Sequence, residues 1–220
     1  MSFAALEAYL VSLSARSAGA IDYLRDGASS SSISQYEFDT GCEFPTALKQ
    51  LWRRFDGISA VESGRFFTFY PDFMLPLSVQ ESQSGYKMFE ELRTSGEYGF
   101  DTHFPKGFVQ IAQVDAGGFW INCLPKSRTF GAVYYRLLTS DPMERFADDL
   151  SQFFSLLEQA VQEGAILIAS EDDDYYYKGD LVADADALNQ IARRMLPNCP
   201  AHNWEQDCSA AMQEEWLRVD

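Results

Sequence analysis

Histidine is almost missing from this chain, with only His103 and His202 in 220 residues. So few imidazoles leave little material for a histidine-dependent nucleophile or a histidine-rich metal centre. Positive charge is also short. There are 17 Lys and Arg against 33 Asp and Glu, a formal net charge of -16 and an isoelectric point near 4.4. A surface that negative repels phosphate backbones and anionic lipid, which argues against direct nucleic-acid or membrane binding. The same field attracts basic proteins and speeds their encounter. No run nears the ~20 apolar residues that span a bilayer. Met1 to Leu13 has no basic n-region, because Glu7 comes early and Arg16 is the first cation, so no secretory signal is read there. The four cysteines, Cys42, Cys123, Cys199 and Cys208, make no CxxC pair and are expected as reduced thiols, with the cytoplasm as the compartment.

Catalytic signatures are missing as well. Gly117-Gly118 lies between two expected strands rather than between a strand and a helix, no GK[ST] occurs, and no GxSxG elbow is present. Cys199-x-x-His202 has a metal-like spacing with Cys208 nearby, but the second ligand pair of a structural zinc site is lacking. A Cys123–His103 nucleophile pair competes with a plainer reading, in which Cys123 is a small buried hydrophobe between Asn122 and Leu124 of a strand. The acidic run Glu171 to Asp174 lacks the alternating Asp spacing and glycine of a calcium loop. No catalytic residue, metal or cofactor is therefore assigned, and the chain is not expected to be an enzyme.

What is present is core material: 46% hydrophobic and 15% aromatic residues, enough for a sizeable globular core at this length. Phe3, Leu6, Tyr9, Leu10 and Leu13 predict a first amphipathic helix. Ser29 to Ser32 reads as a loop. Leu48, Leu51, Trp52 and Phe55 predict a second helix over Thr46 to Phe55, ended by Asp56-Gly57 with glycine as a left-handed cap. Arg65 to Tyr70 is strand material, its aromatic block Phe66, Phe67, Phe69 and Tyr70 serving the core. Tyr86 to Leu92 predicts a short helix. Phe108 to Val114 and Phe119 to Leu124 predict a hairpin turning at Asp115 to Gly118, with a further strand over Gly131 to Leu138. Asp141-Pro142 opens a helix striped by Phe146, Leu150, Phe153, Phe154 and Leu157, with Gly164 near its end. The expectation is α+β: a central antiparallel meander flanked by helices. Residues 1–164 form the main domain. Residues 165–220, with a helix near Ala185 to Leu196, form a mixed extension that Trp204 and Trp216 pin down.

Three stretches carry a resemblance. Phe44-Pro45 leads into Leu48, Leu51, Trp52 and Gly57; Val109 to Ala112 passes through Gly117-Gly118 to Trp120-Ile121; and Ala132-Val133-Tyr134 is followed by Phe146 to Phe154. Together they resemble the SUKH superfamily, the Smi/Knr-like proteins, over roughly Ser34 to Leu157. Asp56 stands where an asparagine is usual, and Phe44 where a leucine is. The resemblance implies function by binding. Bacterial members are immunity proteins that neutralise a cognate toxin, frequently a basic nuclease, and eukaryotic relatives suggest an intracellular scaffold or regulatory adaptor as the alternative. The acidity of the chain fits a basic toxin partner independently of the resemblance. Glu171, Asp172, Asp173 and Asp174 abut Tyr175, Tyr176 and Tyr177, and carboxylates beside large amphipathic rings suit a partner-binding segment, against the plainer reading of a solvated charge cluster.

Overall fold

Apolar side chains at helical and strand spacings divide the chain into the elements seen in a computed structural model, which describes residues 3–16, 21–59, 74–95, 105–114, 117–136, 143–169, 181–199 and 201. The helices are α1 (Ala4–Arg16), α2 (Ser30–Thr40), α3 (Thr46–Arg54), α4 (Val79–Ser95), α5 (Leu150–Glu163) and α6 (Ala185–Met195). The strands are β1 (Leu75–Pro76), β2 (Phe108–Val114), β3 (Gly117–Asn122), β4 (Val133–Arg136), β5 (Glu144–Ala147), β6 (Ile166–Ile168) and β7 (Leu181–Ala183). β1 to β5 form one antiparallel meander in sequence order, and β6 and β7 form a separate two-stranded ribbon. The fold is α+β, as the pattern of elements predicts.

The core forms where α5 meets the sheet. Phe153 packs against Phe119 with ring centroids 4.9 Å apart and against Phe146 at 5.7 Å, while Phe154 turns the other way to meet Phe3 and Tyr9 of the N-terminal segment. Leu6, Tyr9, Leu10 and Leu13 of α1 are buried, so the first helix is covered on the face its periodicity predicts. Arg16 donates to the carbonyl of Val161 at 3.0 Å, tying the end of α1 to the last turn of α5. α6 and the β6–β7 ribbon join the same cluster through Ile166, Leu181, Leu188 and Ile191. Among the described residues no helix is long and apolar enough to cross a membrane.

Four local expectations are corrected. Ser29 to Ser32 is not a loop: Ser29 caps α2, its hydroxyl accepting from the N–H of Ser32 at 3.0 Å, and the other serines form the first turn. Serine satisfies the orphan donors of a helix start, which is the same chemistry that makes it common in loops. Phe146 belongs to β5 rather than to the following helix, which begins after Asp149, whose carboxylate accepts from Gln152 N–H at 2.8 Å. α3 stops at Arg54 with Phe55 extended, so Gly57, although at φ 73°, is not its cap. Gly117-Gly118 opens β3 instead of forming a turn. The predicted strand over Arg65 to Tyr70 lies outside the described residues, as do Trp204 and Trp216.

The Asp149 cap gives a first prediction. Asp149→Ala is expected to lower unfolding free energy by about 1 kcal/mol, with Asp149→Asn recovering most of that loss, read from the midpoint of urea denaturation at unchanged slope.

Candidate functional site

The meander has two unlike faces, because alternation along a strand sends neighbours to opposite sides. Phe119 and Ile121 of β3 enter the main core, while Trp120 joins Phe108, Ala132, Tyr134 and Met143 in a second cluster. Strand register sets Gln110 and Tyr134 on either side of Trp120, Phe108 beside Asn122, and Arg136 opposite Gly118. Arg136 is 1% exposed and holds its guanidinium 5.1 Å from the centre of the Trp120 ring. Gly118 is required here. Its φ is 152°, and a Cβ would fall 2.1 Å from the carbonyl oxygen of Ala112 and 2.8 Å from Nε2 of Gln110, which donates to Gly117 O at 3.2 Å.

Most polar groups on this face hold the loop between β3 and β4. Asn122 Nδ2 lies 2.9 Å from both Ser127 Oγ and Thr129 Oγ1, its Oδ1 accepts from Leu124 N–H at 2.9 Å, and Thr129 Oγ1 lies 2.9 Å from Tyr134 Oη. Among the described residues Trp120 Nε1 has no hydrogen-bond partner. Beside the ring is a hollow of about 10 Å³ lined by Tyr86, Phe89, Arg93, Pro105, Phe108, Trp120 and Met143. That falls below the ~300–1,000 Å³ of typical small-molecule sites. Arg93 is engaged by Glu90, and burial pushes the Tyr86 hydroxyl up, so it stays protonated at neutral pH. The lining holds no acid–base pair.

The sequence's candidate thiols fare no better as nucleophiles. Cys123 is fully buried, and burial first, then the neighbouring Cys42, pushes its thiol well above the ordinary value. Its suggested partner His103 lies outside the described residues. Next to it, Ser82 donates to Gln110 O at 2.5 Å and Tyr36 Oη donates to Ser82 Oγ at 3.1 Å, a buried relay that joins α2, α4 and β2. Cys199 is buried with its sulfur 4.0 Å from both Arg145 Nη1 and Asp148 Oδ1, while His202 and Cys208 lie outside the described residues. Among the described residues no three His, Cys, Asp or Glu side chains gather in a metal-binding group.

The predicted partner segment, Glu171, Asp172, Asp173, Asp174, Tyr175, Tyr176 and Tyr177, also lies outside the described residues. The structure does show where its ends are rooted. It falls in the connection between β6 and β7, whose register pairs Ile166 with Ala183, Leu167 with Val182 and Ile168 with Leu181. The base of that ribbon is fixed to α5: Ala165 N–H donates to Ala160 O at 2.8 Å, and Asp184 N–H to Ala165 O at 2.9 Å. Arg194 of α6 pairs with Glu163, and that bond, helped by Gln159, holds the Glu163 carboxyl below its usual range. Charge is unevenly spread along the chain. Of the 33 acidic and 17 basic side chains, residues 1–164 carry 21 and 13, and the shorter stretch 165–220 carries 12 acids against 4 bases.

One exposed residue escaped the sequence reading. Phe38 of α2 is 81% exposed and stands opposite the buried face made by Ile33, Tyr36 and Thr40. Once α2 is seen as a helix, the signal is plain: an aromatic out of phase with the core stripe, between Glu37 and Asp39.

In comparisons with known proteins, residues 27–156 match the SMI1 / KNR4 family (SUKH-1), a span that runs from just before α2 into α5 and leaves α1, the ribbon and α6 outside. No curated protein sequence matches the chain significantly.

Proposed function

The chain belongs to the SMI1 / KNR4 family (SUKH-1), and from that premise we propose that it is a cytoplasmic immunity protein which binds and neutralises a cognate toxin. It acts by covering its partner and carries out no catalytic step. In this proposal residues 1–164 are the family domain, and residues 165–220 are an extension that presents the acidic, tyrosine-bearing connection between β6 and β7 to a basic toxin of the nuclease type.

The observation that carries the proposal is the distribution of charge. Residues 165–220 hold 12 acids against 4 bases, and the densest run, Glu171 to Asp174, issues from a ribbon rooted on α5. Fixed carboxylates facing a phosphate-binding surface match the charge of the substrate that surface holds, and they raise the rate of encounter. Tyrosines beside them contribute buried area at low conformational cost.

Two measurements test it. Tagged protein used as bait in its native host should retain one stoichiometric partner with a basic toxin domain, and retention should weaken at high salt. Many weak partners would favour the scaffold or adaptor reading, and none at all would overturn binding as the function. With the partner in hand, the triple substitution Asp172→Lys, Asp173→Lys and Asp174→Lys should slow association about tenfold or more at low salt, with little change in dissociation. Equal association rates for the two proteins would remove this segment from the interface.

A further inference from the structure

α2 is anchored at several points. Ser29 caps its start, Gly41 at φ 65° closes its end, and the Tyr36 hydroxyl is buried against Ser82 of α4. The buried face needs only Ile33, Tyr36 and Thr40. Phe38, about 170° away from that face at 100° per residue, therefore contributes nothing to packing, yet it projects from a rigid platform. On the adjoining α4, Met88 likewise points away from the buried Val79, Ser82 and Tyr86 and is half exposed.

The charges that α2 itself carries have one sign. Between Ser30 and Pro45 every ionisable charge is acidic: Glu37, Asp39 and Glu43. Lys49 from α3 neutralises Glu37 at 2.7 Å. Asp39 is different, because both of its oxygens are held by neutral amides, Oδ1 by Gln35 Nε2 at 2.7 Å and Oδ2 by Gln83 Nε2 at 2.6 Å. Among the described residues no cation bonds it, so its position is fixed while its charge is kept. A second copy of the chain brought against this face would set like carboxylates together, which disfavours self-association.

We propose that the solvent face of α2 is a docking surface for a basic protein, with Phe38 inserted into an apolar depression on that partner and Asp39 aligned with an arginine or lysine beside it. This rests on the reading that the chain acts by binding a protein, and it adds an anchor on the family domain, separate from the acidic connection of the extension. A large ring held in advance loses little freedom on binding, and a fixed carboxylate selects for positive charge.

The test uses the full-length chain in its host, with p-benzoylphenylalanine at position 38 and, in separate proteins, at the exposed positions of Val11 on α1 and Phe130 in the loop between β3 and β4. Irradiation should give an adduct with a protein of net positive charge from position 38 and not from the other two. With that protein purified, Phe38→Ala should raise Kd about thirtyfold and Asp39→Asn should slow association severalfold, both at unchanged melting temperature. A basic partner that binds wild type and Phe38→Ala within about twofold overturns the docking surface and leaves the protein-binding reading standing. An adduct with a second copy, or with an acidic protein, also overturns it. If neither bait nor crosslinker retains any protein, both proposals fall.

Discussion

Phe153→Ala is expected to lower the unfolding free energy by about 3–5 kcal/mol, the largest loss predicted for a single side chain here. Phe153 is almost wholly buried, and its ring meets Phe119 of β3, Phe146 of β5 and Phe154 of its own helix at 4.9, 5.7 and 5.1 Å. It is thus the point at which α5 is fastened to the sheet. Removing it leaves a void among aromatic neighbours already held by one another, so the site collapses poorly and the cavity cost adds to the lost transfer free energy. Phe153→Leu refills most of the volume and should recover more than half of the loss. Guanidinium unfolding of the three proteins provides the check, with equal slopes and displaced midpoints. A Phe153→Ala loss below about 1 kcal/mol would mean that the sheet and α5 are joined elsewhere.

The second large effect is alkaline. Burial pushes the Cys123 thiol above its ordinary 9.0 and the Tyr36 and Tyr86 hydroxyls above their ordinary 10.0. In the unfolded chain these groups ionise at the ordinary values, whereas the folded chain keeps their protons. The folded state then binds more protons, and stability falls as pH rises. The contribution is fully present below about pH 9. Above the ordinary value of each group, about 1.4 kcal/mol is lost per pH unit per group until its folded value is reached. Urea midpoints measured from about pH 8 to about pH 11 should therefore fall steeply, and Tyr36→Phe should make the slope shallower by one proton's share. Stability that stays level across that range would place all three groups in contact with water.

The elements that were readable in the sequence are those whose burial is strong and whose period is clean. α1 announced itself through Leu6, Tyr9, Leu10 and Leu13, and β2 through Phe108 to Val114. α2 did not, because its buried face has a single aliphatic residue, Ile33, and Phe38 breaks the stripe from the wrong side. Phe146 misled for a geometric reason. It stands four residues before Leu150, in helical phase, but Ala147 next to it pairs with Val133, and the helix start lies in Asp149 and Gln152. β1, β6 and β7 have two or three residues each, too few for any period to show. The second face of the sheet was hidden by Arg136, since an arginine at the end of a strand reads as exposed until the register sets it over Trp120. The proposed docking surface has no catalytic spacing to search for, so Phe38 stands out only with the helix that carries it.

The root of the β6–β7 ribbon has a consequence for how such a protein diversifies. Ile168 and Leu181 sit side by side, so the chain between them leaves and re-enters the fold at neighbouring points. Closing a loop of twice the length over that gap costs only about 0.6 kcal/mol more. Residues there can be added, lost or exchanged with little penalty to α5 or the meander, while the core stays under full packing constraint. Under the function proposed above, recognition through that connection and the packing of the core would fall on separate stretches of one chain.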